Sequence, residues 1–245
     1  MKHLIAFGLV AAFGSTQAVE LFNNGLVVNG PGPNAGLSVL ESPSTTLGTG
    51  SNAGQRIADN FTVTGPGWNV ESLDFFGYQT QAGGGVFTFT SVAWSIRAGS
   101  DPNTASLVAS GTTPVTNGGL QGFRVTSTTL TNIDRGIYKM NANIPDVVLG
   151  AGQYFMVWSL AGSAVSGPFV TPVVGSVGTG NYYFQSITTT PGPFTAGLTG
   201  ASNLPFDVPF GIQGSVVPEP GSIALMLAGG VAVIGAARRR RRQST

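Results

Sequence analysis

The side chains able to do chemistry in this 245-residue sequence are few, and most of them are carboxylates. Cysteine is absent, and the single histidine is His3. Residues 19–217 therefore contain neither. That removes Ser-His-Asp triads, Cys-His nucleophiles, disulfides and metal sites built on imidazole or thiolate. Glu41, Glu71, Asp74 and Asp101 remain as a pool for acid–base work. Two carboxylates flanking a glycosidic bond are enough for hydrolysis. No spacing in this pool marks an acid and a nucleophile, so the expectation is no catalytic residue, no cofactor and no enzyme.

Asp59 is a separate case. It shares strand parity with Ile57, Phe61 and Val63. A carboxylate on an apolar face needs hydrogen bonds, an ion pair or a cation. One reading makes it a calcium ligand with Asp74 or Asp134. The other satisfies it with backbone N–H groups, Arg56 or Arg135. No D-x-D-x-D run supports the calcium reading, so the expected number of metal sites is zero. Binding chemistry is also open to the aromatics. Trp68, Tyr78, Trp94 and Trp158, with Tyr154, Tyr182 and Tyr183, offer flat faces that could stack on pyranose rings. The bland alternative is that these rings are core and that loops such as 29–55 or 161–181 cover them.

The elements that must carry these residues read as strands. Gly, Ser and Thr are abundant, turn-formers recur every 8–15 residues, and helical periodicity is absent. That pattern predicts an all-β ectodomain, a β-sandwich or jelly-roll-like fold. Strands are expected at 56–64, 70–79, 87–97, 137–144, 153–160 and 206–216, with weaker ones at 106–110 and 122–129. In the third, Phe87 and Phe89 have one parity while Val92, Trp94 and Ile96 have the other, which calls for a bulge near Thr90-Ser91. In 137–144, Tyr138, Met140, Ala142 and Ile144 face in. Segment 153–160 is apolar on both faces, as a central strand would be. Residues 29–55 are rich in Gly, Pro, Ser and Asn and read as a long loop with a short strand near Leu37–Leu40.

Nine acids against five bases give residues 19–217 a net charge of −4, although the whole sequence is +1. The basic surplus sits in Arg238–Arg242. Nothing in the ectodomain suggests nucleic acid.

Both ends look like addresses. Lys2, the ten apolar residues Leu4–Phe13 and the small residues Thr16 and Ala18 have the layout of a secretory signal peptide over 1–18. Signal peptidase would cut between Ala18 and Val19. Residues 218–245 begin with Pro218-Glu219-Pro220-Gly221 and continue with an apolar span, 223–237. Arg238, Arg239, Arg240, Arg241 and Arg242 follow as a stop-transfer cluster. The span is short for a single transmembrane helix, which wants ~20 residues, but snorkelling arginines extend it.

Pro218-Glu219-Pro220-Gly221, the apolar span and the arginine run resemble the PEP-CTERM sorting signal, in all three parts and in order. The resemblance covers 28 residues and implies several things. The tail would anchor the chain in the inner membrane. An exosortase-type transpeptidase would process it near Pro218-Glu219-Pro220. The source would be a bacterium that makes extracellular polysaccharide, and the destination the cell surface, matrix or biofilm. A permanent single-span anchor remains the alternative to processing. Segment Ala58-Asp59-Asn60-Phe61, followed by Trp68 and Phe75-Phe76, is also similar to β-sandwich ectodomains borne on such tails. The leading expectation is a non-enzymatic exported module associated with polysaccharide. A lectin-like module using exposed aromatics is second, and a carboxylate-based polysaccharide hydrolase is third.

Overall fold

Strand β10 (Gly152–Gly162) is buried on both faces from Tyr154 to Leu160, and the architecture is arranged around it. The computed structural model describes residues 18–32, 35–52, 54–80, 85–187, 191–200 and 202–219. The signal-peptide core and the apolar span 223–237 with its arginines lie outside these residues. β10 pairs on one side with β4 (Gln55–Val63) and on the other with β6 (Phe89–Ala98). β6 continues to the edge strand β7 (Ser106–Pro114), and β4 to β12 (Tyr183–Ser186) and β13 (Thr195–Ala196). This is a six-stranded antiparallel sheet.

The second sheet centres on β5 (Trp68–Thr80), which lies between β9 (Gly136–Leu149) and β14 (Phe210–Val216). Outside β14 is β1 (Val19–Asn23), and outside β9 is β8 (Thr116–Val125). A short β2 (Gly36–Val39) joins β8 in parallel, while β11 (Ser166–Val170) and β3 (Thr49–Gly50) extend from β5. The described residues are thus all-β, in two facing sheets.

The sheets share one core. Ile57, Phe61, Trp94, Met156 and Trp158 from one meet Leu73, Phe75, Met140, Phe210 and Ile212 from the other. Trp158 is the hinge of this contact, with ring centroids 5.5 Å from both Phe75 and Phe210. Aromatic pairs at this spacing add about 0.5–1.5 kcal/mol beyond their area. Among the described residues, the core clusters are drawn from residues 27–212, with partly buried Leu21 and Phe22 against them.

The parity conflict in β6 is resolved as expected. Ser91 faces Ala161 and Phe89 faces Gly162, so Thr90 is the extra residue, and Phe89 and Val92 both point into the core. Other boundaries differ from the sequence reading. β8 begins at Thr116 and ends at Val125, where a turn hydrogen-bonded from Thr129 to Thr126 closes it. β9 runs past Ile144 to Leu149 through an irregularity opposite Val70 and Ser72. Pro145 sits there, where its missing N–H costs no ladder bond. β14 starts at Phe210 because Phe206 and Val208 plug the core instead of extending the ladder.

Segment 29–55 is tied down by one buried cation. The Arg124 guanidinium, 3% exposed, donates to Leu47 O at 2.8 Å, Thr46 O at 2.9 Å and Ser38 Oγ at 3.0 Å. Burial lowers its pKa to about 10, so it stays charged at neutral pH. Replacing Arg124 with Met fills the space but orphans two carbonyls, at about 1–3 kcal/mol each. We expect Arg124→Met to lower Tm by at least several degrees. Faster amide exchange should be confined to residues 38–48, and unchanged exchange there would contradict the strap.

Candidate functional site

The fold begins and ends at one place. Val19 lies opposite Gly214 across the β1–β14 pair. Ala18, just before it, is exposed. At the far end, Val217 N–H donates to Gly67 O at 3.0 Å, continuing the β14–β5 pairing by one residue. Gly67 is at φ +116°, and a Cβ there would lie 2.4 Å from Leu149 O, so the turn that receives the last strand needs glycine. Pro218 has no N–H to extend the ladder. Pro218 and Glu219 are exposed, and Pro220 and Gly221 lie outside the described residues. The Pro-Glu segment therefore leaves a finished sheet directly, with no linker.

The carboxylates do not converge. Asp74, 1% exposed, takes Lys139 Nζ at 2.7 Å, Asn141 Nδ2 at 2.5 Å and Gln213 Nε2 at 2.8 Å. Glu41 accepts from Gly175 N–H, Glu71 from Ser215 Oγ, and Asp101 from Asn103 N–H. These four acids share no partner with one another, although Asn69 Nδ2 reaches both Glu71 at 3.4 Å and Asp146 at 3.3 Å. Among the described residues no three His, Cys, Asp or Glu side chains gather as a metal-binding group.

Asp59 meets neither Asp74 nor Asp134. Its Oδ2 accepts Val208 N–H at 2.9 Å and Asn24 Nδ2 at 2.8 Å, and its Oδ1 accepts Asn60 N–H at 2.7 Å. All three donors are neutral, and neither Arg56 nor Arg135 takes part. The backbone N–H alternative thus describes Asp59, and neither Asp74 nor Asp134 is among its partners. Asp59 pins the loop before β14 to β4 instead.

The aromatics take the core alternative. Trp68 is 6% exposed, Tyr78 3%, Trp94 5% and Trp158 1%. The three tryptophans belong to the core between the sheets. Tyr78 points the other way and packs under Phe169 of β11, with Leu47 beside it. Two-faced apolarity in β5 and β10 reflects a second covering layer on each sheet, not an open aromatic face.

Residues 216–242 match the family model described as PEP-CTERM protein-sorting motif. The tail is a PEP-CTERM sorting motif. It starts on the last residue of β14, so its first residues are still paired in the sheet. No curated protein matches the sequence. A PEP-CTERM tail indicates an exported protein that is held in the membrane and then processed by exosortase. No helix among the described residues is long and apolar enough to cross a membrane.

Two further residues stand beside β10. Arg56 and Arg97 flank that strand on its outer face and line the same cavities. Parity gives the signal: each is one residue out of step with a core position, Ile57 or Ile96.

Burial pushes the Asp59 pKa up to about 7, and the nearby Asp207 charge adds to this against the pull of the three donors. The folded pKa lies above the unfolded value, 3.8, so the fold holds the proton more tightly. This stabilisation is complete below about pH 4 and is lost as pH rises through about 7, worth at most about 4 kcal/mol at roughly 1.4 kcal/mol per pH unit. We expect wild-type Tm to fall between about pH 5 and pH 8. Asp59→Asn should lack that component of the slope, from a baseline lower by about 1–3 kcal/mol because its NH2 faces a donor. Equal slopes in the two proteins would refute the assignment.

Proposed function

We propose that this chain is a non-enzymatic exported module that its PEP-CTERM tail delivers to the cell surface or extracellular matrix, where it associates with polysaccharide. The observation carrying this reading is the match at residues 216–242, which begins where the last strand ends. A β-fold whose core, among the described residues, lies within residues 21–212 and directly before the motif is suited to be cargo. Membrane anchoring precedes processing by exosortase near Pro218-Glu219-Pro220, after signal peptidase has cut between Ala18 and Val19.

The non-enzymatic part is supported by how the carboxylates are used. Asp74 is committed to Lys139 and two amides, and Asp59 to three N–H donors. General acid–base work needs a group free to exchange a proton with substrate.

Deletion of residues 218–245 tests delivery. The shortened ectodomain is expected in the culture medium in folded form, while the full chain is recovered with the membrane or matrix fraction. Equal partition of both forms would overturn the reading.

A further inference from the structure

The outer face of the six-stranded sheet combines two unpaired cations with polar walls. β4 turns Arg56 outward beside core-facing Ile57, and β6 does the same with Arg97 beside Ile96. Both arginines line two open cavities of about 340 and 470 Å³. Ser95, Ser110 and Thr112 add hydroxyls to the first. Gly111, between Ser110 and Thr112, sits opposite Trp94 in the ladder and leaves room for that ring on the core side. Gln185 and Phe194 border the second. A third cavity of about 270 Å³, lined by Asn60, Thr62 and Gln153, continues on this face beyond Phe155.

No carboxylate lines any of the three cavities. The one ion pair among the described residues is Lys139–Asp74, so neither arginine is neutralised. Arg97 makes a single long bond, from Nη1 to Ala105 O at 3.4 Å, and its Nε is buried without a partner. Gln185 donates Nε2–H to Gly192 O at 2.6 Å, while its Oε1 is buried without a partner. An unmade buried hydrogen bond costs about 1–3 kcal/mol, so such groups call for an explanation. Here a donor and an acceptor are both left over at one cavity. An oxyanion matches the first and a hydroxyl the second.

We propose that this trough binds an acidic saccharide. A uronate-type carboxylate sits on Arg56 and Arg97, and ring hydroxyls meet Gln185, Ser95, Ser110 and Thr112. The guanidinium fork matches a carboxylate in two parallel bonds. The row of cavities suits successive sugar units. A phosphodiester polymer fits less well, because its binders neutralise several phosphates and this trough offers two cations on an ectodomain of net charge −4. The inference rests on the polysaccharide reading above and names its chemistry.

Calorimetry on residues 19–217 tests it, because that segment holds every core cluster of the described residues and omits the tail arginines. The titrants are trigalacturonate, neutral galactotriose and sodium phosphate. Trigalacturonate is expected to bind with Kd of roughly 0.1–1 mM, as suits an open site. Arg56→Gln and Arg97→Gln should each weaken it at least tenfold. Ser95→Asp should abolish it while keeping both arginines, and Arg135→Gln should match wild type as a charge control. Thermal melts confirm folding of each variant. Trigalacturonate binding unchanged by the variants, absent altogether, or equalled by galactotriose would overturn the proposal. Phosphate binding as tight as the saccharide would also overturn it, by reducing the trough to a simple anion site. Delivery is read separately by fractionation, so failure here would leave it standing.

Discussion

The burial of β10 on both faces is the constraint from which the other features follow. No disulfide supports the ectodomain, so apolar contact must hold the sheets together. Inward, Met156 and Trp158 enter the core shared with Phe75 and Phe210. Outward, Phe155 and Val157 need their own cover, and Ala105, Phe194 and Tyr183 provide it. That cover is small. It shields the midline of the outer face and leaves its flanks open, and Arg56 and Arg97 stand on those flanks. Anything that the six-stranded sheet binds on this side is therefore shaped by the needs of one strand.

Charge is used sparingly and locally. Asp74 with Lys139, Arg124 with the carbonyls of Thr46 and Leu47, and Asp59 with three N–H donors each fasten one segment to a sheet. These buried groups contribute order more than net stability, because desolvation offsets much of their attraction. The consequence for function is one of subtraction. Once the buried groups are satisfied internally, Arg56 and Arg97 stand unneutralised together on the outer sheet face.

Much of the fold was legible because strand alternation is a short-range code. The Thr90 bulge could be read from a parity conflict between Phe89 and Val92, and the inward set of β9 from alternation alone. Pairings between distant segments were not legible. The bonds from Asp59 reach Val208, 149 residues away, and Arg124 reaches Thr46 across 78. The two-faced apolar pattern of β10 was read correctly as a central strand, yet it also suggested exposed aromatics. Periodicity reports which faces are apolar and cannot report what covers them. The arginine trough escaped notice because Arg56 and Arg97 are 41 residues apart in sequence and meet only across β10. The sorting tail was legible because its signal is contiguous: a Pro-Glu-Pro motif, an apolar span and a basic run.

The end of β14 separates two kinds of sequence. Before it, residues are selected for packing; after it, for reading by membrane machinery. Val217 bonds to Gly67 on one side of this boundary, and Pro218 cannot pair on the other. Every core cluster of the described residues is built from residues before this boundary. The most direct measurement is the mass of the C-terminus of the protein recovered from its native cells. The account predicts a chain ending close to Pro218 or Glu219 and carrying an adduct. A chain intact to Thr245 would contradict processing and make the tail a permanent anchor.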